Sequence, residues 1–426
     1  MYYSQAIEFL YGLQGRGIKL GLERIERALQ ERGQPHKRLH FAHVAGTNGK
    51  GSVSAMLASC LTAAGLRTGL FTSPHLHRFT ERIQINGKEL SEDSVARRLS
   101  ELATWQQQQS LELSFFEMAT LLALEAFVDE GCDMVVMETG LGGRLDSTNV
   151  IFPEVCVITH IARDHSEILG DDLATIASEK AGIIKKGRPV ILGSSPDEAL
   201  TVLIARARAL DAPAVLWNRD IVVTDGTEER FSVRIHDEIL SDLFVALRGS
   251  HQRHNAALAV GACVTLRQLG WSIPSEAIRA GLSSTTWPGR LEFLASVPKV
   301  LLDAAHNPDG CQALADYVRS IQHAFSRLVL VFGCMQDKDA RAMLACFRGL
   351  FAQHFYVAPP MSRAMAPGAL DAISPGASCE GIADALSRAQ DLAGPQGLFV
   401  VAGSIFVVAE ARRLLLGNAT DPLIGM

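Results

Sequence analysis

A glycine-rich stretch constrains the fold of this chain more than any other part of the sequence. Residues 46–52 read Gly-Thr-Asn-Gly-Lys-Gly-Ser; a short β-like segment, 39–42, precedes them, and apolar residues recur at helical spacing over 53–64. This order predicts a strand, a turn and a helix, in which backbone N–H groups converge on an anion. The glycines leave room for a phosphate chain, Lys50 can reach its outer phosphates, and Ser52 can offer a hydroxyl to Mg²⁺. The spacing is shorter than in the usual P-loop, so a glycine turn that only packs a helix on a strand is the alternative.

The length and composition predict a globular protein of two domains. A chain of 426 residues is long for one core, and 48% of its residues are hydrophobic while 20% are charged. The net charge of −6 argues against a nucleic-acid partner. No apolar run reaches the roughly 18 residues that a membrane helix needs, so we expect no membrane partner. The first residues lack a basic segment followed by an apolar block, so no signal peptide is predicted.

The cysteines indicate a reducing compartment. The sequence contains eight of them, without a C-x-x-C pair, and most lie in apolar stretches. This distribution is typical of small core residues and disfavours a zinc site. We therefore expect a cytoplasmic protein.

Strands and helices alternate along the chain, which predicts an α/β fold. The nearly all-apolar segment 133–138 is typical of a parallel strand that is buried on both faces. The composition becomes linker-like at 283–289, and a second α/β pattern follows it. We predict a P-loop NTPase-like N-terminal domain, residues 1–287, and a smaller Rossmann-like C-terminal α/β domain, residues 288–426.

Two local patterns predict departures from this alternation. Residues 218–246 alternate between apolar and polar types and contain Asp225-Gly226, which predicts a β-hairpin within the first domain. Residues 359–378 are rich in Pro, Ala and Gly, which predicts a mobile loop in the second domain.

Polar side chains follow three of the predicted strands and could form a metal site. They are Ser73, Glu138 and His165. The carboxyl ends of parallel strands meet at one sheet edge, where open α/β sheets hold their ligands. Mg²⁺ prefers few protein ligands together with waters and substrate phosphates, and the imidazole makes Mn²⁺ a second option. Taken singly, each residue could equally be a cap or a solvated side chain.

Several motifs in a fixed order carry a resemblance to a known family. They are Gly46–Ser52, Ser73–Leu76, Phe116–Glu117, Glu138–Asp146, Asp164–His165, Glu179–Ile183 and Asp303–Pro308. This set resembles the folylpolyglutamate synthase/dihydrofolate synthase family, a branch of the ATP-dependent Mur-type amide ligases. The resemblance runs from about residue 18 to the C-terminus, and it accounts for the short P-loop, which this branch uses.

The resemblance implies residues for ATP, metal and catalysis. The ATP-binding residues that it implies are Thr47, Asn48, Gly49, Lys50, Gly51, Ser52, Asn255, Arg290 and Asp303. One or two Mg²⁺ ions would be held by Ser73, Glu138 and His165. The catalytic residues would be Lys50, Lys180 and His306, with Lys180 carried as a carbamate, although residue chemistry alone favours an ordinary ion-paired lysine. Asn255 would lie on the adenine side, Arg290 would bind phosphate, and Asp303 would bind the nucleoside. The loop 337–339 would receive the incoming amino acid.

The resemblance also implies a pterin site. Its residues would be Ile18, Lys19, Leu20, Ser114, Phe115, Phe116, Glu117, Leu145, Asp146 and Ser147. Bifunctional members of the family often carry alanine at the position of Ser147, and members that only elongate folates also carry serine there. Residues 20–24, Leu-Gly-Leu-Glu-Arg, match the bifunctional pattern.

The activity that these resemblances imply is the ligation of L-glutamate. With ATP as co-substrate, the enzyme would convert the carboxylate of dihydropteroate, or of a folate, to an acyl phosphate that the amine of L-glutamate attacks. The second domain would close over the nucleotide and exclude water, and we expect a monomer. Three alternatives stay open: folylpolyglutamate synthesis alone, another Mur-type amide ligase, and a nucleotide-dependent switch without ligation.

Overall fold

The computed structural model describes residues 1–16, 21–164, 170, 172–224 and 230–421, and they form two compact units. Unit 1 comprises Met1–Ala246 and Gln252–Thr286, together with Asp421 near the end of the chain. Unit 2 comprises Leu247–His251 and Trp287–Thr420. The chain therefore enters unit 2 briefly before residue 252 and again after residue 286.

The described strands of unit 1 form a large sheet whose centre is parallel. The order is β4-β3-β2-β5-β1-β6-β7-β8, in which the pairs β2–β3 and β3–β4 are antiparallel and the other pairs are parallel. The central strands are buried along their whole length, as their largely apolar sequences lead one to expect. The strands are β1 (Phe41–Ala45), β2 (Thr68–Phe71), β3 (Ile83–Ile85), β4 (Lys88–Glu89), β5 (Met134–Glu138), β6 (Val155–Ile158), β7 (Val190–Leu192) and β8 (Ala214–Leu216).

Helices join and cover these strands. Helix α3 follows β1 and α5 precedes β5. Because β1 and β5 are parallel neighbours, the phosphate loop and the loop after Glu138 emerge at the same end of the sheet. The helices are α1 (Tyr3–Gly12), α2 (Glu23–Glu31), α3 (Lys50–Ala63), α4 (Glu92–Gln108), α5 (Phe115–Asp129), α6 (Leu173–Ala181), α7 (Asp197–Ala209), α8 (Ser250–Gln268) and α9 (Ser275–Ser284). Short 3₁₀ helices lie at Leu13–Arg16, Pro35–Arg38, Phe79–Arg82 and Ser147–Val150.

The alternating stretch 218–246 forms an antiparallel sheet in unit 1. Its strands are β9 (Ile221–Thr224), β10 (Arg230–Ile235) and β11 (Glu238–Phe244), in the order β11-β10-β9. The sheet has a third strand beyond the expected hairpin, because the chain turns again after Ile235. The expected Asp225-Gly226 turn lies outside the described residues.

The end of the described chain returns to unit 1. The Asp421 carboxylate accepts hydrogen bonds from the Tyr3 hydroxyl (3.1 Å) and the Phe79 N–H (2.6 Å). The Asp421 N–H donates to the carbonyl oxygen of His77 at 2.9 Å. Residues near the two ends of the sequence therefore meet at the loop that follows β2.

Unit 2 is a smaller α/β unit with a mostly parallel sheet. Its order is β12-β13-β17-β14-β15-β16, with only β12 antiparallel among the described strands. The strands are β12 (Glu292–Leu294), β13 (Lys299–Leu302), β14 (Leu328–Phe332), β15 (Gln353–Tyr356), β16 (Ala377–Ser378) and β17 (Leu398–Ala402). The helices are α10 (Pro308–Ile321), α11 (Ala340–Ala345), α12 (Pro367–Ile373), α13 (Ile382–Ala393) and α14 (Ile405–Leu416), with a 3₁₀ helix at Gln322–Ala324.

The prediction of a mobile loop at residues 359–378 is wrong. This stretch contains α12, whose first residue is Pro367, and the short strand β16, which pairs with β15. Proline is favoured in the first turn of a helix because its missing N–H would have no acceptor there. Leu370 is fully buried and anchors this helix to the core of unit 2.

The two-domain α/β fold expected from the sequence is confirmed. Each unit has its own apolar core, and one large cluster of unit 1 lies on the α1 and α5 side of its sheet. In the described part of the chain, no helix combines the length and the apolar character that a membrane crossing requires.

Candidate active site

The phosphate loop lies between the central strand of unit 1 and the start of α3. Gly49 is the N-cap of α3 with φ of 87°, a left-handed conformation that favours glycine. A Cβ on Gly49 would lie 2.5 Å from Oδ1 of Asn255, so the neighbouring side chain also requires glycine here. The first N–H groups of a helix have no intrahelical acceptor, and they carry the positive end of its dipole. The loop can therefore bind an anion such as a phosphate chain.

Thr47 and Asn48 brace this loop against the end of β6. The Thr47 N–H donates to the carbonyl oxygen of His160 (2.6 Å), and its hydroxyl donates to that of Ala162 (3.0 Å). The Thr159 hydroxyl donates to the carbonyl oxygen of Asn48 at 2.7 Å. The Thr47 contacts thus fix the loop, and the N–H groups that can face a phosphate lie further along it.

Two lysine ammonium groups converge on one carbonyl oxygen of the loop. Nζ of Lys180 donates to the carbonyl oxygen of Gly46 at 2.8 Å, and Nζ of Lys50 donates to the same oxygen at 3.1 Å. Burial and the nearby charge of Lys50 lower the pKa of Lys180 to about 7, whereas Asp164 and Asp146 oppose the shift. Lys180 is almost fully buried, and its neutral amine form is therefore accessible near neutral pH.

A close approach of two segments places Lys180 there. A Cβ on Gly182 would lie 2.4 Å from Cα of Arg144, so glycine is needed just after α6. The Arg144 N–H donates to the carbonyl oxygen of Glu179 (2.7 Å), and the two side chains form an ion pair at 2.8 Å. These contacts explain why the Glu138–Asp146 and Glu179–Ile183 motifs occur together.

Glu138 and Ser73 meet at the ends of neighbouring strands. β2 and β5 are parallel neighbours, and Oε2 of Glu138 accepts a hydrogen bond from the Ser73 N–H at 3.1 Å. Glu138 is only 3% exposed. A buried carboxylate and a hydroxyl beside a phosphate loop are oxygen donors of the kind that Mg²⁺ prefers, so these residues fit the ion. His165, the third predicted ligand, lies outside the described residues, and the described residues contain no cluster of three acidic, histidine or cysteine side chains suited to a metal.

Ser52 and Asn255 are linked through a glutamine that the sequence analysis missed. Nε2 of Gln252 donates to the hydroxyl oxygen of Ser52 at 3.3 Å, and Nδ2 of Asn255 donates to Oε1 of Gln252 at 3.0 Å. All three side chains are buried. The structure therefore places Asn255 against the phosphate loop.

Ser114 and Glu117, which were expected to contact the pterin, form the N-terminal cap of α5. The Ser114 N–H donates to Oε2 of Glu117 (2.8 Å), and the Glu117 N–H donates to the Ser114 hydroxyl (3.4 Å). Glu117 also pairs with Nε of Arg24 at 3.0 Å. This capping box was visible in the sequence as Ser-x-x-Glu, because such a pattern before an apolar run marks a helix start.

The two phenylalanines at the start of α5 have different surroundings. The Phe115 ring stacks on Tyr11, with centroids 5.7 Å apart and an interplanar angle of 10°. The Phe116 ring lies 5.8 Å from that of Phe71 and packs closely over Gly140. The other apolar residue of this set, Leu145, is half-buried. The expected partners at 18–20 lie outside the described residues.

Asp146 orders the loop that carries it. Oδ2 accepts from the Leu141 N–H at 2.8 Å, and Oδ1 accepts from the N–H (3.0 Å) and the hydroxyl (2.5 Å) of Thr148. Nε2 of His43 lies 2.9 Å from the Thr148 hydroxyl, and burial lowers the pKa of His43 to about 3. Since the Thr148 hydroxyl donates to Asp146, the neutral His43 ring donates to that hydroxyl. Burial raises the pKa of Asp146, while these hydrogen bonds oppose the shift.

Ser147 directs its hydroxyl into the protein. Its oxygen lies 2.7 Å from the Thr120 hydroxyl, which itself donates to the carbonyl oxygen of Phe116 at 2.8 Å. Ser147 is therefore the donor to Thr120. The Ser147 hydroxyl thus has its hydrogen-bonding partner within the fold.

Unit 2 contributes three of the expected residues around the start of α10. Asp303 is buried; its Oδ2 accepts from the Leu291 N–H (2.8 Å), and its Oδ1 accepts from the Ala305 N–H (2.9 Å). Burial raises the pKa of Asp303, and the nearby charge of Arg290 opposes this rise. Nδ1 of His306 lies 2.9 Å from the carbonyl oxygen of Ala304, so in the neutral ring Nδ1 carries the proton.

The loop 337–339 has mainly local contacts. Asp337 and Lys338 form an ion pair with a 3.6 Å separation. Asp339 caps α11 by accepting a hydrogen bond from the Ala342 N–H at 2.9 Å. Asp339 therefore has a structural role that an N-terminal helix position explains.

Both units match protein-family models. The Mur ligase middle domain matches residues 44–263, and the Mur ligase glutamate ligase domain matches residues 289–405. The dihydrofolate synthase/folylpolyglutamate synthase of Bacillus subtilis is 34% identical over 97% of this chain and 99% of its own length. Folylpolyglutamate synthase from Mycobacterium tuberculosis, solved in complex with ADP, superposes with a TM-score of 0.89 at 33% identity and covers 98% of this chain and 100% of its own. Escherichia coli FolC, solved in complex with DHPP and ADP, has the same TM-score at 31% identity, with 96% and 97% coverage.

The fold of both units and the two matched domains define a Mur-type ligase. The phosphate loop at the carboxyl end of the central strand agrees with this class, because nucleotides bind at that edge of open α/β sheets. The chain belongs to the dihydrofolate synthase/folylpolyglutamate synthase family. This result confirms the resemblance found in the sequence.

Proposed function

We propose that this protein is an ATP-dependent ligase that joins L-glutamate to dihydropteroate, forming dihydrofolate, and to folates, forming folylpolyglutamates. The whole-chain similarity to enzymes named for both activities supports this function. The structural observation that carries the proposal is the convergence of Lys50 and Lys180 on the phosphate loop, beside the start of α3.

The chemistry of amide formation explains what this site must do. A carboxylate is a poor electrophile, so its oxygen is first converted to an acyl phosphate by the γ-phosphoryl group of ATP, and the amine of L-glutamate then displaces phosphate. Phosphoryl transfer depends mainly on positioning and on the stabilisation of negative charge. In our proposal the N–H groups at the start of α3 and the ammonium group of Lys50 supply that charge, and Ser52 and Asn255 complete the nucleotide site.

Mg²⁺ is the metal that we propose for this site, held by Ser73, Glu138 and His165. When bound, the ion would neutralise charge on the phosphates. The buried carboxylate of Glu138 and its hydrogen bond to the Ser73 N–H hold the two described ligands in one place.

The pKa of Lys180 supports the proposal that this lysine is carbamylated. A carbamate forms when CO₂ reacts with a neutral amine, and a pKa of about 7 makes that form available near neutral pH. An anionic carbamate at Lys180 would attract the neighbouring ammonium group of Lys50 and a bound metal cation. A second ammonium group at that position would repel both.

Unit 2 supplies the remaining proposed roles. We assign Arg290 to a phosphate and Asp303 to the nucleoside of ATP. The loop 337–339 is assigned to the incoming glutamate. His306 is the proposed catalytic histidine, since a neutral ring protonated at Nδ1 carries its lone pair at Nε2.

The internal hydrogen bond of Ser147 supports dihydropteroate as an acceptor. Because the Ser147 hydroxyl donates to Thr120, an aromatic ligand that packs beside it would not bury a donor without an acceptor, and binding would carry no desolvation penalty from this group. Folylpolyglutamate synthesis alone is the second candidate, since family members restricted to it also carry serine at this position.

One experiment tests both candidates. The purified protein is incubated with ATP, Mg²⁺, L-glutamate and either dihydropteroate or tetrahydrofolate, and product masses and phosphate release are measured. We expect glutamate adducts of both acceptors and fast phosphate release only when acceptor and glutamate are both present. Adducts of tetrahydrofolate alone would leave the second candidate, and acceptor-independent phosphate release would indicate a nucleotide-dependent switch.

Glu138→Gln is expected to raise the Mg²⁺ concentration needed for half-maximal activity by about 10- to 100-fold. The amide keeps an acceptor for the Ser73 N–H but loses the charge that binds a hard cation. The measurement is a Mg²⁺ titration of initial rate. Glu130→Gln is the matched control, because Glu130 pairs with Arg67 at the amino ends of β5 and β2, whereas Glu138 and Ser73 lie at the carboxyl ends of these strands. An unchanged Mg²⁺ dependence in Glu138→Gln would assign this residue a purely structural role.

Asp146→Asn is expected to reduce dihydropteroate ligation by about tenfold or more, and glutamate addition to tetrahydrofolate by much less. In our proposal the Asp146 carboxylate accepts from the amino and ring N–H groups of the pterin, and asparagine has one acceptor fewer. Initial rates with the two acceptors give the comparison. Equal losses with both acceptors would instead indicate that Asp146 only orders its loop, as its bonds to Leu141 and Thr148 also allow.

A further inference from the structure

Arg82 is a buried cation whose hydrogen-bonding capacity is mostly unused. It ends the 3₁₀ helix Phe79–Arg82 in unit 1 and is only 6% exposed. Its Nε donates to Nδ1 of His75 at 2.7 Å, and its guanidinium carbon lies 5.0 Å from the centroid of the Phe115 ring. Among the described residues, neither of its Nη groups donates to a protein acceptor. Neither Nη atom belongs to the fully enclosed polar atoms that lack a partner, so each keeps some exposed surface.

The contacts of Arg82 do not neutralise its charge. The His75 ring accepts from Arg82 at Nδ1 and lies 3.0 Å from the Tyr11 hydroxyl at Nε2, which makes it neutral. The Phe115 face offers only a cation–π contact. A buried guanidinium is costly unless an anion pairs with it.

The carboxylates near Arg82 accept hydrogen bonds from other groups. Both oxygens of Glu81 accept backbone hydrogen bonds, from the N–H groups of Leu76, His77 and Arg78 at 2.7 to 2.9 Å. Glu138 accepts from the Ser73 N–H. Both carboxylates favour the charged form of Arg82 at a distance, yet burial still lowers its pKa to about 10. The site is thus prepared for an anion that the described protein does not itself provide.

The position of Arg82 indicates which anion that is. The carbonyl oxygen of Arg82 accepts from the Thr72 N–H at 3.0 Å, which places it beside Ser73. Its guanidinium meanwhile contacts Phe115, at the start of the segment assigned to the pterin. Arg82 therefore lies between the proposed pterin site and the proposed metal ligands.

We propose that the two Nη groups of Arg82 bind a carboxylate of the acceptor substrate and hold it for reaction. The inference rests on the proposed function and adds to it a residue that recognises the acceptor's charge. A planar guanidinium matches a carboxylate with two parallel hydrogen bonds, which lysine cannot reproduce. Dihydropteroate has one carboxylate, so for this acceptor the bound group is the reacting group itself.

A comparison of a charged ligand with its neutral analogue tests the proposal. Calorimetry measures the affinity of pteroate and of pteroamide, its carboxamide, for the wild-type protein and for Arg82→Gln and Arg82→Lys. We expect the wild type to prefer pteroate by at least about tenfold and Arg82→Gln to lose this preference. Arg82→Lys should retain part of it, and this variant serves if Arg82→Gln does not fold. Arg78→Gln is the control, because Arg78 lies in the same loop but pairs with Glu89 and Glu92 at the surface.

Other outcomes overturn the proposal. Equal binding of pteroate and pteroamide by the wild type, or an unchanged preference in both Arg82 variants, shows that Arg82 does not read the carboxylate. If the affinity for ADP falls in the variants while the preference for pteroate stays, the guanidinium serves the nucleotide phosphates instead. The ligation assay described above is run separately on the wild type. A failure of the proposed function therefore appears as absent glutamate adducts, whatever the binding preference.

Discussion

Lys50→Ala is expected to lower kcat by on the order of 10³-fold while the protein stays folded. Among the described residues, Nζ of Lys50 donates two hydrogen bonds, to the carbonyl oxygens of Gly46 (3.1 Å) and Thr47 (3.2 Å) of its own loop. These bonds place the ammonium group at the phosphate loop, where the charge of the transferring phosphoryl group would develop. The measurement is the steady-state rate at saturating ATP, with circular dichroism as the check on folding.

A lysine away from the loop provides the comparison for this variant. Lys88 lies exposed in β4, so Lys88→Ala should leave the rate within about twofold of the wild type. A folded Lys50→Ala protein that keeps a tenth or more of the wild-type rate would contradict the assignment of residues 46–52 to ATP.

Lys180→Ala is expected to reduce kcat by about 10²-fold, and short carboxylic acids should restore part of the activity. The physical reason is that the carbamate supplies a negative charge that alanine lacks and that a small acid can replace in the vacated space. Carbamylation itself is measured by ¹³C NMR of the wild-type protein in ¹³C-bicarbonate, with Lys180→Ala as the reference. Lys186→Ala, an exposed lysine shortly after α6, should keep both the signal and the rate.

The pH dependence of this signal has a defined direction. Because the pKa of Lys180 is about 7, its amine becomes protonated as the pH falls through 7, and the carbamate signal should fall with it. Between pH 7 and the ordinary lysine value of 10.5 the unfolded chain binds more protons at this residue, so the free energy of unfolding should rise with pH over that window. Lys50→Ala should raise the pKa of Lys180 by removing a neighbouring positive charge. A bare amine at Lys180 in the active protein would refute the carbamate.

The sequence predicted the central strands well because each depends on local information. The segments 133–138 and 398–402 are apolar runs bounded by polar or glycine residues, and they form β5 and β17. The stretch 359–378 was misread because its proline and glycine content suggested a loop. Helix α12 forms there since Pro367 suits a first helical turn and Leu370 packs into the core, and the second of these is a tertiary contact.

The residues of the candidate site could be predicted where a local sequence motif indicates their chemistry. The glycine spacing around Lys50 predicts a phosphate loop. The low pKa of Lys180, in contrast, follows from contacts that no sequence pattern displays. The pterin role of Ser114 and Glu117 is implied by the family resemblance, whereas their capping box follows from the local pattern Ser-x-x-Glu before an apolar run. Arg82 was missed altogether, since its sequence neighbours resemble those of an ordinary strand and only the fold shows that its side chain is buried.

The return of Asp421 to unit 1 has a consequence for how the gene can be altered. A stop codon that removes residues 421–426 would leave the Phe79 N–H and the Tyr3 hydroxyl without their acceptor. The damage would appear between Ser73 and Arg82, some 340 positions earlier in the sequence, so a truncated allele would resemble a substitution in the β2 loop.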